Sequence, residues 1–539
     1  MEPATIRDIL NFVLGDSYGK KEDFLRWPPD VFAVAGHILQ LSGAYVEVVK
    51  TWPPSGFARR DWQEYADSLG KKWRLAAMDN SVPTKIKIWW RCVLKYQNMP
   101  LTSIKKEVEL WQTLVCLCTV ADAACAGVGV PDPRQPKDAF ATHSAILLRT
   151  RLTASEPSTL CQAIHPSKLV VLPKIHTPQR GITLRSLTHH LSLSVGYDVV
   201  VQWCEALAIE GWKAVPKFKH GITVLIVPYP FRIDPSQFEP ALSANGPLRN
   251  MHSDFGFFDF IPKQMPTTFV RDLRRLCKKA KDKVGRLDGV IFPEMALQPD
   301  EYAKVRKALL PEVEFFISGV YERAGRQPAQ NYAKITAKFS EGLFVELQQK
   351  KHHRWYLENN QICQYGLGST LDPNKKWWEF TQLGERKLTF LSLDAWLTIS
   401  VLICEDLARP DPVGNILRAV GPNLVIALLQ DGPQLASRWS ARCATVLADD
   451  PGCSVLTVTS AGMAAISRPP QEVARGSTFR QVVALWKDKE TGTCEIVLPD
   501  DAQGIVLCMT NTYEKEWTAD GRHDSESAGT LRLSGVHPI

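Results

Sequence analysis

Three short segments carry side chains able to do covalent chemistry. In VIFPEMAL a β-branched run reaches Pro293 and sets a carboxylate, Glu294, just after it. In LFVELQQKKHHRWYLE an alternating segment ends in two adjacent ammonium groups, Lys350 and Lys351. In LTISVLICEDLARPDP the run ends in a thiol, Cys404, followed by Glu405 and Asp406. Each has an ordinary structural reading when taken alone. A Glu after a strand caps or pairs, a Lys pair is a solvated strand end, and a Cys in an apolar strand is core. Taken together, the three stand at the carboxyl ends of buried strands, where α/β folds place ligands. A carboxylate, an ammonium and a thiol suffice for acyl transfer. The carboxylate takes the thiol proton, sulfur attacks, and the ammonium steadies the negative charge that develops.

Alternation along the strand separates the two lysines, because neighbouring residues face opposite sides. Leu343, Val345, Leu347 and Lys351 share one parity, the apolar one, whereas Lys350 falls with Phe344, Glu346 and Gln348. Lys351 is therefore the expected catalytic amine. Lys350 is the alternative if a bulge at the strand end exchanges the faces.

The elements that must position these groups are legible further out. GITVLIVPYP near His220 reads as a buried strand ended by prolines. In TTFVRDLRRLCKKAKDKVG, residues Phe269, Leu273, Leu276, Ala280 and Val284 lie on one helical face. Its lysines and arginines read as a solvated face, so nucleic acid is not an expected partner. Strand candidates then alternate with helices: DGVIFPE, VEFFISGVYE, YAKITAKF, LFVELQQK, LTISVLICED, NLVIALL, CSVLTVTS, QVVALWK and GIVLCMTN. That alternation indicates a layered α/β domain.

With these motifs in place, the segment from about 218 to 515 resembles the nitrilase, or carbon–nitrogen hydrolase, superfamily. The FPE-type motif at Glu294 and the ICxD-type motif at Cys404 occur in the family's order, with a lysine between them. Gly319 and Asn331 fall where the family has a strand glycine and an Asn before the next strand. Pro410, Trp439 in RWSARCA, and GSTF at Gly476 match flanking features. The resemblance implies an α/β fold of the nitrilase type, a four-layer αββα sandwich. It implies hydrolysis of a non-peptide carbon–nitrogen bond in a small amide or nitrile, with no metal or organic cofactor. The backbone N–H of Glu405 would share the oxyanion with the lysine. A second glutamate between Lys and Cys would help position substrate and lysine, and Glu358 is the candidate. The loops Gln298 to Ala303 and Gln361 to Lys376 would shape the mouth of the site. Homo-oligomers are also implied.

The resemblance stops before residue 215. Residues 1–130 read as a mainly helical domain, with helical spacing at Val31, Val34, Ile38 and Leu41. Nine of the 16 tryptophans precede residue 215, and the WPP motifs at Trp27 and Trp52 suit helix starts. PDPRQPK, Pro131 to Lys137, reads as a linker into a small α/β or irregular region over 131–217; residues 218–539 form the hydrolase domain. PNKKWWEF is expected to be a packing or oligomer surface rather than a pocket wall.

Bulk properties narrow the class. A net charge of +7 over 539 residues does not call for a polyanionic partner. The 13 cysteines are odd in number and scattered in apolar runs, which points to free thiols in a reducing cytoplasm. No pair of CxxC motifs suggests structural zinc. No secretory signal is read at the N-terminus. The longest apolar run, Leu110 to Val130, is interrupted by Gln112 and Asp122 and reads as a buried helix, so no membrane association is expected. Other readings of the same features remain: a catalytically silent binding or scaffold domain, a soluble acyltransferase, or an effector of a bacterial anti-phage system acting on a metabolite. The last rests on a fold-level analogy.

Overall fold

The computed structural model describes residues 5–539 except 16–22, 56, 58, 130–137, 151–156, 176–181, 197–198, 207, 211–212, 216, 219, 242–251, 326, 341, 468–479 and 525–528. The expected linker at 131–137 and the GSTF segment at Gly476 lie outside the described residues.

The N-terminal region is helical: α1 (Ile6–Leu14), α2 (Pro28–Ser42), α3 (Arg59–Met78), α4 (Thr84–Lys95), α5 (Val108–Ala124) and α6 (Ala139–Thr150). Pro28 stands in the first turn of α2, so the first WPP starts a helix; the second, at Trp52, lies in a turn ahead of α3. Val31, Val34 and Ile38 are buried on α2, but Leu41 is exposed at the helix's end. The apolar run from Leu110 becomes α5, which packs against α2, α3 and α4 and is buried on nearly all sides. Asp122 sits within it without solvent, because it accepts from the main-chain N–H groups of His189, His190 and Leu191 at 2.8, 2.8 and 2.9 Å. No helix among the described residues is long and apolar enough to cross a membrane.

Two seven-stranded sheets follow. Their strands in chain order are β1 (Val200–Glu205), β2 (Gly221–Ile226), β3 (Gly289–Ile291), β4 (Phe315–Glu322), β5 (Gln330–Ser340), β6 (Leu343–Lys350), β7 (Lys387–Asp394), β8 (Leu397–Ile403), β9 (Leu424–Leu429), β10 (Ser454–Thr459), β11 (Val482–Asp488), β12 (Gly492–Val497), β13 (Ile505–Tyr513) and β14 (Gly529–Pro538). The first sheet has the order β6-β5-β4-β3-β2-β13-β14, the second β12-β11-β10-β9-β8-β7-β1. The edge strand β1 comes from the segment ahead of the hydrolase-like sequence and pairs parallel with β7.

Alternation along the strands builds the layers. Val224, Ile226, Ile317 and Ile335 of the first sheet meet Ile399, Val401, Ile426 and Leu456 of the second in one core. The opposite parity of the first sheet, including Leu225, Val290 and Phe316, packs on α7 (Phe269–Val284) and α8 (Pro299–Leu309). Phe269, Leu273, Leu276 and Ala280 supply the buried face of α7, as their spacing predicts. The outer face of the second sheet, including Leu402, Val425 and Val455, packs on α10 (Asn415–Val420) and α11 (Trp439–Asp449), and continues into the core of the N-terminal helices. The result is a four-layer αββα sandwich preceded by a helical region, the architecture expected above. A smaller sheet, in which Lys376–Glu379 pairs with Phe255–Phe260, covers one end of the sandwich.

Candidate active site

Strand direction brings the chemical groups to one edge. In the first sheet β3 runs parallel to β4, and β5 and β6 continue antiparallel, so β3 and β6 end at the same edge while β5 begins there. Glu294 lies just past β3, Lys351 just past β6, and Asn331 near the start of β5. In the second sheet β8 and β9 run parallel and deliver Cys404 and Gln430 past their ends.

Glu294 is fully buried and held by three donors: Lys351 Nζ at 2.8 Å, Asn331 Nδ2 at 2.7 Å and the main-chain N–H of Gln430 at 2.7 Å. Lys351 Nζ also donates to Glu379 at 2.5 Å. Asn331 Nδ2 donates to Glu379 at 2.8 Å, so ammonium and amide stand between the two carboxylates. The turn that carries Glu294 depends on Gly319 of β4. A Cβ there would sit 2.5 Å from the Glu294 Cα and 2.5 Å from the Pro293 carbonyl oxygen.

Cys404 adopts φ +47°, a left-handed conformation that costs a non-glycine residue energy and persists only where its surroundings hold it. A hydrogen-bonded anchor is visible beside it. Asp406 accepts from the His352 and His353 main-chain N–H groups at 3.1 and 3.0 Å, which ties the cysteine turn to the chain after Lys351.

Burial pushes the Cys404 thiol well above its ordinary range; Glu294 adds to this, and Lys351 opposes it without winning. Solvent exclusion outweighs one cation when a carboxylate acts on the same thiol. Burial also raises Glu294, with Lys351 pulling down and Glu379 pushing up. Burial lowers Lys351, but Glu294 and Glu379 together overcome it and hold its ammonium well above its usual value. These directions favour a protonated thiol and a charged amine.

Of the residues singled out in the sequence, Glu294, Lys351 and Cys404 come together. Lys350 does not: it lies on the other face, with its stem near Gly384. No bulge interrupts β6 next to the lysines; the register shift on this pair is at the far end, between Lys338 and Ser340. Glu358 does not join them either. It is exposed and caps the short helix α9 (Asn359–Gln364) with Gln361. The buried second glutamate is Glu379, in PNKKWWEF. That segment does pack, since Trp377 enters a core with Phe238 and Phe258, and Trp378 stacks on Phe255 at 5.0 Å. Its last strand residue nonetheless turns into the site. Alternation along KWWE puts Glu379 on the same buried face as Trp377, a signal that the tryptophan-rich composition of the segment outweighs in the sequence. Of the two expected mouth loops, the one after Gln361 contributes Tyr365, whose hydroxyl donates to Asp431 at 2.8 Å. Residues from Gln298 cap and begin α8. Trp439 Nε1 donates to Asp431 at 3.0 Å.

No family model matches the sequence, and no curated protein matches it. Solved structures similar to the chain include an amidase from Nesterenkonia sp., at 10% identity over 55% of this chain and 92% of that one, with a TM-score of 0.31. A glutamine-dependent NAD+ synthetase from Acinetobacter baumannii is 12% identical over 58% of this chain and 49% of that one, TM-score 0.31. Saccharomyces cerevisiae Nit3, a nitrilase-superfamily member, is 13% identical over 51% and 85%, TM-score 0.29. The four-layer order and the strand-end cluster described above stand on the chain's own geometry.

Proposed function

We propose that the chain hydrolyses a carbon–nitrogen bond of a small amide or nitrile through a thioester on Cys404. The observation that carries this reading is the buried Lys351 ammonium, shared at 2.8 and 2.5 Å between Glu294 and Glu379 and lying in the field of the Cys404 thiol. A buried charge trio is expensive to assemble, and a structural ion pair does not need a thiol on a strained turn beside it.

For an amide, Glu294 takes the S–H proton as sulfur bonds the carbonyl carbon, and the C=O pair moves onto oxygen. Lys351 Nζ and the main-chain N–H of Glu405 hold that oxyanion. The carbon–nitrogen bond then breaks, and the proton on Glu294 goes to the departing amine. A water gives its proton to Glu294 and bonds the acyl carbon, the carbon–sulfur bond breaks, and the proton returns to sulfur. A base poised beside a protonated thiol suits this sequence, since proton removal and attack occur together. Glu379 and Asn331 act by holding Lys351 and Glu294 in place.

Cys404→Ala is expected to abolish ammonia release from a panel of aliphatic amides and nitriles while the circular dichroism spectrum stays that of wild type. A Cys404→Ala protein that still turns over a substrate of the wild type would overturn the reading.

A further inference from the structure

The end of β9 carries a buried carboxamide that nothing among the described residues satisfies. The main-chain N–H of Gln430 bonds Glu294 at 2.7 Å, but its side-chain Oε1 and Nε2 have no hydrogen-bond partner, although the residue is fully buried. Buried amides are ordinarily paired, because burying one without a partner forfeits its bonds to water. An open donor and an open acceptor on one rigid group therefore mark a place where something else binds.

Its position says what. β8 and β9 are in parallel register with Ile403 beside Leu428, so the turn that begins at Cys404 leaves β8 next to the end of β9. Gln430 directly follows Leu428 and Leu429, which both fill the core between the sheets, and its main chain meets Glu294. A further open acceptor, Asn331 Oδ1, lies in the same cluster, on the amide whose nitrogen bonds Glu294 and Glu379. The cluster holds two carboxylates against one ammonium, which disfavours a second anionic group on the ligand.

We propose that Gln430 is the specificity-determining residue of this site and pairs with an uncharged carboxamide on the acyl side of the substrate. Nε2 donates to that group's carbonyl, and Oε1 accepts from its N–H. A hydrocarbon tail would leave both halves open. A carboxylate tail would meet only the donor and add charge beside Glu294 and Glu379. The proposal rests on the amide-hydrolysis reading above.

Succinamide and 4-methylpentanamide test it, because the second replaces one carboxamide by an isopropyl group with the same branching and similar size. Wild type is expected to favour succinamide in kcat/KM by more than about 100-fold, and Gln430→Met to reduce that ratio to below about tenfold. A wild-type ratio under about tenfold, or a ratio kept in Gln430→Met, overturns the proposal. The wild-type ratio decides even if the variant does not fold. Calorimetric titration of Cys404→Ala with both compounds separates the two readings. If wild type hydrolyses neither, yet Cys404→Ala binds succinamide more than about tenfold tighter and Gln430→Met added to it removes the preference, recognition stands and hydrolysis falls. Equal binding, or none, overturns recognition.

Discussion

The thiol proposed as nucleophile, Cys404, is buried, and burial favours its protonated form over the activated thiolate usually sought in cysteine enzymes. At Cys404 the carboxylate beside the thiol cancels what the lysine offers, and burial decides the balance. Alkylation by iodoacetamide needs the thiolate. The Cys404 rate should stay low through pH 9, the ordinary range of a cysteine, and rise only above it. Peptide mass mapping of alkylation against pH checks this; a plateau reached below pH 8 would mean that Lys351 prevails. The exposed Cys363 serves as the internal reference, reacting ahead of Cys404.

At the scale of elements, the site depends on strands that approach one another more closely than side chains allow. β4 passes the Glu294 turn at Gly319, where a Cβ would meet backbone atoms of Pro293, Glu294 and Met295. Backbone cannot rotate away as a side chain can, so Gly319→Ala must displace the turn or the strand. Overpacking of this kind costs about 1–3 kcal/mol, and a shift of about 1 Å at the base costs about 100-fold in rate. Gly319→Ala should therefore keep its fold in a urea titration while losing about 100-fold in kcat/KM; wild-type kinetics would show that the turn does not depend on this approach.

The same elements explain what the sequence disclosed. Glu294 and Cys404 were legible because each follows an apolar run rich in β-branched residues, and strand parity alone set Lys351 apart from Lys350. Glu379 was not, because its strand is four residues long, begins with lysine and is rich in tryptophan, so composition suggests packing. Glu358 looked suitable in the linear order but caps α9 instead. Gln430 carried no signal, since its importance lies in partners it lacks. β1 was hidden for a related reason: a six-residue run far from the motifs acquires meaning only from its pairing with β7.

Across the whole molecule, the helical region and the sandwich share material. The core of α2, α4 and α5 runs without a break into the outer face of the second sheet. A buried guanidinium fastens the two. Arg522 donates to Asp520 at 2.8 Å, to Asp122 of α5 at 3.3 Å and to the carbonyl oxygen of Leu187 at 2.7 Å, while Trp62 of α3 donates to Asp520 at 2.9 Å. Removing one member of a buried ion cluster strands the others, at a cost of about 3–5 kcal/mol. Arg522→Met should lower stability by that amount in urea, with helical circular dichroism and tryptophan fluorescence lost in one coincident transition. Two separate transitions in the wild type would show instead that the helical region folds by itself.

β1 has one more consequence. A bare outermost strand offers its main chain to any neighbour able to lie alongside. Here the carbonyl oxygen of Val201 already accepts from the Ser158 N–H at 2.7 Å, and α6 lies against the strand. The chain has used its own upstream segment as a doorstop at that margin. Growth of a shared sheet from this side would have to displace that contact, whereas at the opposite sheet's edge strand β6 Leu343 and Phe344 face solvent.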